Sequence, residues 1–453
     1  MAGLFGTDGV RALVNTGPMT AEAVVRLSLA AGRWFADHSN RSPNTRPIVV
    51  IGKDTRLSGY MLESAMVAGF SSIGLNCRLL GPIPTPAVAH LTRSLRAELG
   101  VMISASHNPH HDNGIKLFGP DGFKLDDRIE SEISALAEVS ITLAKPHELG
   151  RARRMLDSVG RYVEFAKSTL PGRTRLDGLK LVVDCANGAA YRTAPDTLYE
   201  LGAEVVPLAI TPDGFNINED CGAVHPQVMA AAVVAHGADA GICLDGDADR
   251  LIMADENGTT IDGDQILGCL ALAMQEKGTL SKNTVVGTMM SNRGLETMLR
   301  KADIDLHRVA VGDRYILEKM RNDELNLGGE PSGHILMTDF ARSGDGLLTA
   351  LQMLTLLKGS TKKASALFNC FKPSPQRLEN LTGIDPIILQ REPLQAAIRE
   401  IEKGLGKRGR VLVRPSGTES LIRVMVEAES GPLLKATMNA LILCIKKEIG
   451  KNT

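Results

Sequence analysis

Three times along the chain a short apolar run ends in a turn rich in Gly, Asp or Asn, and a helix-like stretch and two further runs follow it. The opening runs are Ile48–Arg56 (IVVIGKDTR), Leu181–Gly188 (LVVDCANG) and Thr284–Gly294 (TVVGTMMSNRG). The second runs are Cys77–Leu80, Glu204–Leu208 and Asp305–Val309. The third end in polar loops: Gly100–Pro109 (GVMISASHNP), Ala240–Arg250 (AGICLDGDADR) and Asn326–His334 (NLGGEPSGH). Continuous apolar runs alternating with helical stretches read as buried strands of α/β units, because strands covered on both faces need no polar alternation. The order predicts three similar units. In such sheets ligands sit beyond the strand ends, which directs attention to the third loop of each unit.

Composition shifts set the expected boundaries. The polar, basic stretch Ala144–Ser158 reads as the end of a first unit plus a connector; a second unit runs to about Asp255 and a third to about Phe368. Lys372–Pro386, punctuated by Pro373, Pro375, Gly383 and Pro386, reads as a linker into a last domain. That domain is expected to end in strand Arg410–Arg414, a tight loop, strand Leu421–Ala428 and an amphipathic helix near Pro432–Ile449. The expected division is 1–155, 156–255, 256–370 and 371–453.

With 51 Lys and Arg against 52 Asp and Glu, the net charge of −1 argues against nucleic-acid binding, which usually needs a clearly basic domain. Aromatics are only 4%, so the cores must be built from Ala, Val, Ile and Leu. The seven cysteines are scattered without a CxxC pair and read as reduced thiols of a cytoplasmic protein. The first eleven residues lack the basic-then-apolar profile of a secretion signal, and no run of 18 apolar residues occurs.

Asp245-Gly-Asp-Ala-Asp-Arg250 puts three carboxylates at alternate positions after an apolar strand, a spacing that can turn all three towards one hard cation. Glu256 even occupies the twelfth position of an EF-hand loop. Arg250, however, replaces the required sixth-position Gly, and apolar strands flank the loop. Three protein ligands beside an Arg suit Mg²⁺ shared with a phosphate. Ser104-Ala-Ser-His-Asn-Pro109 pairs a Ser with a His but lacks the G-x-S-x-G elbow of a hydrolase; alone, it reads equally as a turn closed by Pro109. Arg414-Pro-Ser-Gly-Thr-Glu419, with Arg423 beyond, gathers guanidinium groups, hydroxyls and Gly amides suited to a phosphate. Gly329-Glu-Pro-Ser-Gly-His334 mixes the donors and acceptors that sugar hydroxyls need, and Phe5–Arg11 sets a cation in a Gly-rich loop. Gly52-Lys53-Asp54 lacks the spacing of a P-loop, and no GxGxxG follows a strand.

Together these loops resemble the α-D-phosphohexomutase family. The matching stretches are FGTDGVR (5–11), SASHNP (104–109), DNGIKLF (112–118), DGDADR (245–250), VVGTMMSN (285–292), VGDRYILE (311–318), GGEPSGH (328–334) and RPSGTE (414–419), in the family's order. The Ala in DGDADR and the opening FGTDGVR resemble the family's glucosamine branch. Ala12 and Pro331 depart from the usual Gly and Gln, the second inside the sugar-reading loop.

The resemblance implies an α/β fold of three similar α/β/α mixed-sheet domains plus a smaller C-terminal α+β domain, around a central cleft. It implies that Ser106 is the phosphoserine and that Asp245, Asp247 and Asp249 hold one Mg²⁺ with a phosphoserine oxygen. Arg11 and Arg250 are expected near the transferring group, and His107 and Lys116 to handle the proton, a task that a lysine with a lowered pKa would serve. Glu330, Ser332 and His334 are expected to contact the sugar, and Arg414, Ser416, Gly417, Thr418 and Arg423 to hold the phosphate that is not reacting. The implied activity interconverts glucosamine 6-phosphate and glucosamine 1-phosphate through the 1,6-bisphosphate, feeding UDP-N-acetylglucosamine synthesis, with glucosamine or glucose 1,6-bisphosphate as primer. Phosphomannomutase or phosphoglucomutase activity is the alternative; a silent sugar-phosphate sensor and a phosphatase are rivals of another kind. The expected partners are a small sugar phosphate and a second copy in a homodimer.

Overall fold

The computed structural model describes residues 4–6, 8–38, 46–172, 174–415 and 421–449. The chain divides into two compact units, Met1–Met290 with Asp303–Cys370, and Ser291–Ala302 with Phe371–Thr453.

The first unit holds three sheets with one shared plan. In the first, strands run in the order Val10–Leu13, Asp112–Phe118, Leu99–Ile103, Ile48–Lys53, Asn76–Pro82 and Ala152–Arg154. The second runs Thr260–Ile261, Leu251–Asp255, Ala240–Leu244, Lys180–Asp184 and Glu204–Leu208. The third runs Asp305–Val309, Thr284–Thr288, Leu327–Gly329 and Ile335–Met337. In each, the first strand of the repeat lies between the second and third, parallel to both, and a fourth turns back antiparallel beside the third. The repeat read from the sequence is therefore a repeat of topology. It puts SASHNP, DGDADR and EPSGH at the same place in their units, the turn between third and fourth strands.

The strands form where they do because their apolar residues are covered. Val49, Ile51, Leu99, Val101 and Ile103 of the first sheet pack with Leu62, Met66 and Phe70 of helix Ser58–Ser72 and with Val24, Leu27 and Ala31 of helix Ala21–Asp37. Fully burying such a side chain contributes about 1.5–3 kcal/mol. The Thr20 hydroxyl starts the second of these helices by accepting from Ala23 N at 3.2 Å.

The second unit is a three-stranded antiparallel sheet, Gln376–Thr382, Leu421–Ala428 and Gly409–Pro415, with helices Glu392–Leu405 and Gly431–Ile449. Ile422, Val424 and Val426 face Leu394, Ile398, Met438, Leu441 and Ile445 in its core. The stretch read as a linker thus carries a strand, bracketed rather than broken by its prolines.

The cysteines described are all free, and burial pushes Cys77 up to about 11 and Cys221 up to about 12, so both stay thiols. No helix among the described residues is long and apolar enough to cross a membrane.

Candidate functional site

The turn after strand Leu99–Ile103 is held from below. Ser106 sits there buried at φ +53°, a conformation that a side chain seldom adopts without support. The Ser104 hydroxyl donates to Asp54 Oδ2 at 2.6 Å and accepts from Ser106 N at 2.9 Å. Arg56, fully buried, donates from Nη2 to Ser106 O (3.0 Å) and Asn108 O (2.8 Å), and from Nη1 to Asp112 O (3.1 Å) and Pro109 O. Its Nε is held by Asp54 Oδ2 at 2.8 Å. Asn218 Nδ2 adds bonds to Ser106 O and Asn108 O at 2.9 and 3.1 Å. A Cβ on Gly246 would lie 2.5 Å from Ser106 O, so a glycine there lets the aspartate loop approach this turn.

The contact that results is the centre of the site: Ser106 Oγ donates to Asp245 Oδ2 at 2.6 Å. One oxygen each from Asp245, Asp247 and Asp249 fall within 4.8 Å of one another, and all three residues are buried. Asp247 Oδ2 accepts from Thr85 Oγ1 (2.6 Å) and Lys116 Nζ (2.9 Å), and Asp249 Oδ2 from Lys116 Nζ (3.1 Å). Asp247 Oδ1 is buried with no hydrogen-bond partner; nor has Asp249 Oδ1, although His334 Nδ1 stands 3.4 Å from it. Burial, and then the neighbouring Asp247 and Asp249, push Asp245 up to about 8. An all-oxygen donor set with two unpartnered buried carboxylate oxygens fits a hard metal ion.

Lys116 differs from the expectation. Burial would lower its pKa, but Asp247, Asp249 and Asp8 outweigh burial and hold it well above the ordinary lysine value. It is an ammonium here, not a ready base. His107, whose Nδ1 is 3.4 Å from Ser106 Oγ, is pushed down to about 4 by burial and then by Arg250 and Arg11, so its ring is neutral at neutral pH. Arg11 pairs with Asp8, Arg250 Nε lies 3.9 Å from Asp249 Oδ1, and the Nε of each arginine is buried without a hydrogen-bond partner.

Glu330 and His334 come from the equivalent turn of the third sheet. Glu330 Oε1 accepts from Gly312 N at 3.0 Å and Oε2 from Ser332 Oγ at 3.3 Å. His334 lies between Asp249 and Asp313, 3.4 and 3.6 Å away; burial opposes its protonation, yet those carboxylates raise its pKa. Three residues that the sequence did not single out complete the network: Lys124 bridges Asp8 and Asp313. In the second unit, Arg414 and Arg423 are register partners on adjacent strands. Ser416, Gly417 and Thr418 lie outside the described residues.

A buried hydroxyl, three carboxylates and surrounding guanidinium groups are the parts of a metal-assisted phosphoryl-transfer enzyme, where positioning and charge neutralisation do most of the chemistry. The chain belongs to the phosphoglucomutase/phosphomannomutase family. Residues 2–141, 160–258 and 262–373 match its alpha/beta/alpha domains I, II and III, and residues 376–443 its C-terminal domain. Among curated relatives, the phosphoglucosamine mutase of Paracoccus denitrificans is 55% identical over 447 residues, covering 98% of this chain and 99% of the relative. That of Cereibacter sphaeroides is 56% identical, covering 98% of each. The fold is shared with a phosphoglucomutase/phosphomannomutase family protein of Burkholderia thailandensis (TM-score 0.82, 23% identity, 98% of this chain and 97% of that one). It is also shared with an N-acetylphosphoglucosamine mutase of Aspergillus fumigatus solved with GlcNAc-6P and magnesium (TM-score 0.64, 18% identity, 98% and 95%). The expected family and fold class are borne out.

Proposed function

We propose that this enzyme interconverts glucosamine 6-phosphate and glucosamine 1-phosphate through a phosphoserine at Ser106. The observation that carries the reading is the 2.6 Å bond from Ser106 Oγ to Asp245, at the head of the aspartate cluster. Full-length identity of 55–56% to phosphoglucosamine mutases supports the sugar.

In the forward direction the bond from phosphorus to Ser106 Oγ breaks as a bond to sugar O1 forms, giving the 1,6-bisphosphate. The proton leaving O1 passes to the neutral His107 ring. Arg11 and Arg250, each with an unpartnered Nε, bind the oxygens of the transferring group, and the Lys116 ammonium offsets the carboxylate charge beneath it. After the intermediate reorients, Ser106 Oγ, left as the oxyanion by the first transfer, attacks the phosphorus on O6, and O6 leaves with the proton that His107 took from O1, releasing glucosamine 1-phosphate. Asp245, Asp247 and Asp249 would hold Mg²⁺ with a phosphoserine oxygen, and the ion would supply charge neutralisation at that group. Glu330, Ser332 and His334 orient the sugar; Arg414, Ser416, Gly417, Thr418 and Arg423 take the remote phosphate. A trace of glucosamine or glucose 1,6-bisphosphate would prime the serine. The four segments 1–155, 156–255, 256–370 and 371–453 are the domains of this reading, and a cytoplasmic homodimer its form.

The test is the initial rate on glucosamine 6-phosphate, mannose 6-phosphate and glucose 6-phosphate with Mg²⁺ and a bisphosphate primer. The amino sugar should be fastest. A preference for mannose or glucose would move the enzyme to the sister activity and make Pro331 the first position to revert. Ser106→Ala should remove most turnover while sugar-phosphate binding survives; a near-native rate in that variant would sink the mechanism.

A further inference from the structure

At the opposite end of the first sheet from Ser106 lies a concave pocket of about 310 Å³ lined by Arg46, Asn76, Arg78, Arg151 and Arg153. Arg46 stands two residues before strand Ile48–Lys53, Asn76 opens strand Asn76–Pro82, and Arg151 precedes strand Ala152–Arg154. The pocket therefore sits where these parallel strands start, whereas Asp54, Arg56 and Ser106 follow the ends of theirs.

Its lining offers donors only. Arg46 is fixed by bonds from Nη1 to Leu149 O (2.5 Å) and from Nη2 to His147 O (2.9 Å). Asn76 Oδ1 is already taken by Arg151 N at 3.0 Å, which leaves its amide as a further donor. Among the described residues, no carboxylate lines the pocket. Arg78 and Arg153 are direct cross-strand partners, so two like charges stand side by side on one face. Like charges paired across strands repel, and an anion bound between them would relieve that repulsion.

We propose that this pocket binds the diphosphate group of a small molecule. Guanidinium groups chelate phosphate oxygens with paired N–H donors. With about −1.5 to −2 on its terminal phosphate and −1 on the inner one, a diphosphate comes closer to the charge of four arginines than a single phosphate does. The volume falls at the small end of ligand pockets, enough for a diphosphate with little room beyond it. The inference is independent of which sugar the enzyme turns over.

The test is calorimetric titration of the full-length protein with inorganic pyrophosphate, adenosine diphosphate and orthophosphate, the active site being saturated with glucose 1,6-bisphosphate. Pyrophosphate or the nucleotide should bind at least 10-fold tighter than orthophosphate, and weaken as NaCl is raised. Equal affinity for the first two identifies the diphosphate alone as the ligand; tighter nucleotide binding adds a base or ribose contact at the rim. Arg78→Gln with Arg153→Gln should weaken that binding at least 10-fold and leave mutase turnover within about twofold, which also shows the variant folded. Diphosphate binding unchanged by the double substitution, or no tighter than orthophosphate, would overturn the proposal.

Discussion

One guanidinium group, that of Arg56, anchors four carbonyl oxygens of the Ser106 turn. Lysine keeps the charge against Asp54 but cannot fork to four acceptors. Arg56→Lys should therefore cost about 2–4 kcal/mol in unfolding free energy, since buried carbonyls lose their partner. It should also lower kcat by about 10²-fold with little change in KM, as a shift of roughly 1 Å in a reacting group does. A lowered melting temperature with native kcat would make the clamp purely structural. Asp247→Asn should raise the metal concentration for half-maximal rate by about 10–100-fold, and an unaltered metal dependence would take Asp247 out of the ligand set. Asp245, Asp247 and Asp249 were legible because three acids at alternate positions cannot sit after a buried strand without a reason. Arg56 was not, because its partners are backbone carbonyls 50 and more residues away, and a carbonyl leaves no mark in a sequence. The lysine expected to be depressed is raised for a related reason: Asp8 and the aspartate loop reach it only through the fold.

Among the elements, three parallel strands, one wholly buried and two without a buried residue, were read to the residue. Glu204–Leu208, Ala240–Leu244 and Asp305–Val309 begin and end where their apolar runs do. Two of the strands that escaped are polar and hold no buried residue. Ala152–Arg154 is exposed at every position and lies at a sheet edge, and Gln376–Thr382 shows no buried residue. Pairing, not hydrophobic pattern, makes them strands. Helices interact in a way that titrates: Tyr162 of helix Ser158–Ser168 donates at 2.8 and 2.9 Å to both oxygens of Asp345, which caps helix Gly346–Lys358. Burial pushes Asp345 up to about 6 from 3.8. The folded state then holds a proton that the unfolded state has lost between those values, so this group's contribution to stability falls as pH rises from about 4 through 6. Asp345→Asn keeps the cap and removes the titration. Denaturant unfolding should show the variant gaining on the native protein by about 2 kcal/mol between pH 4 and pH 7.5; a constant gap would show that Asp345 does not titrate there.

For the whole molecule, the two compact units have cores of their own. Calorimetry should resolve two unfolding transitions, because units with distinct cores need not melt together; one two-state transition would refute their independence. The larger unit repeats one plan three times, yet the smaller is not simply appended to it. Helix Arg293–Lys301 belongs to the second unit although both of its neighbours in sequence belong to the first. Some 70 residues of the first unit separate this helix from the rest of its own unit. During synthesis at about 5–20 residues per second, the helix waits roughly 4–14 s for the segment that completes its unit. Its apolar Leu295 and Leu299 are buried in the finished protein. A chain that stops after Cys370 carries this helix without the rest of the unit to which it belongs.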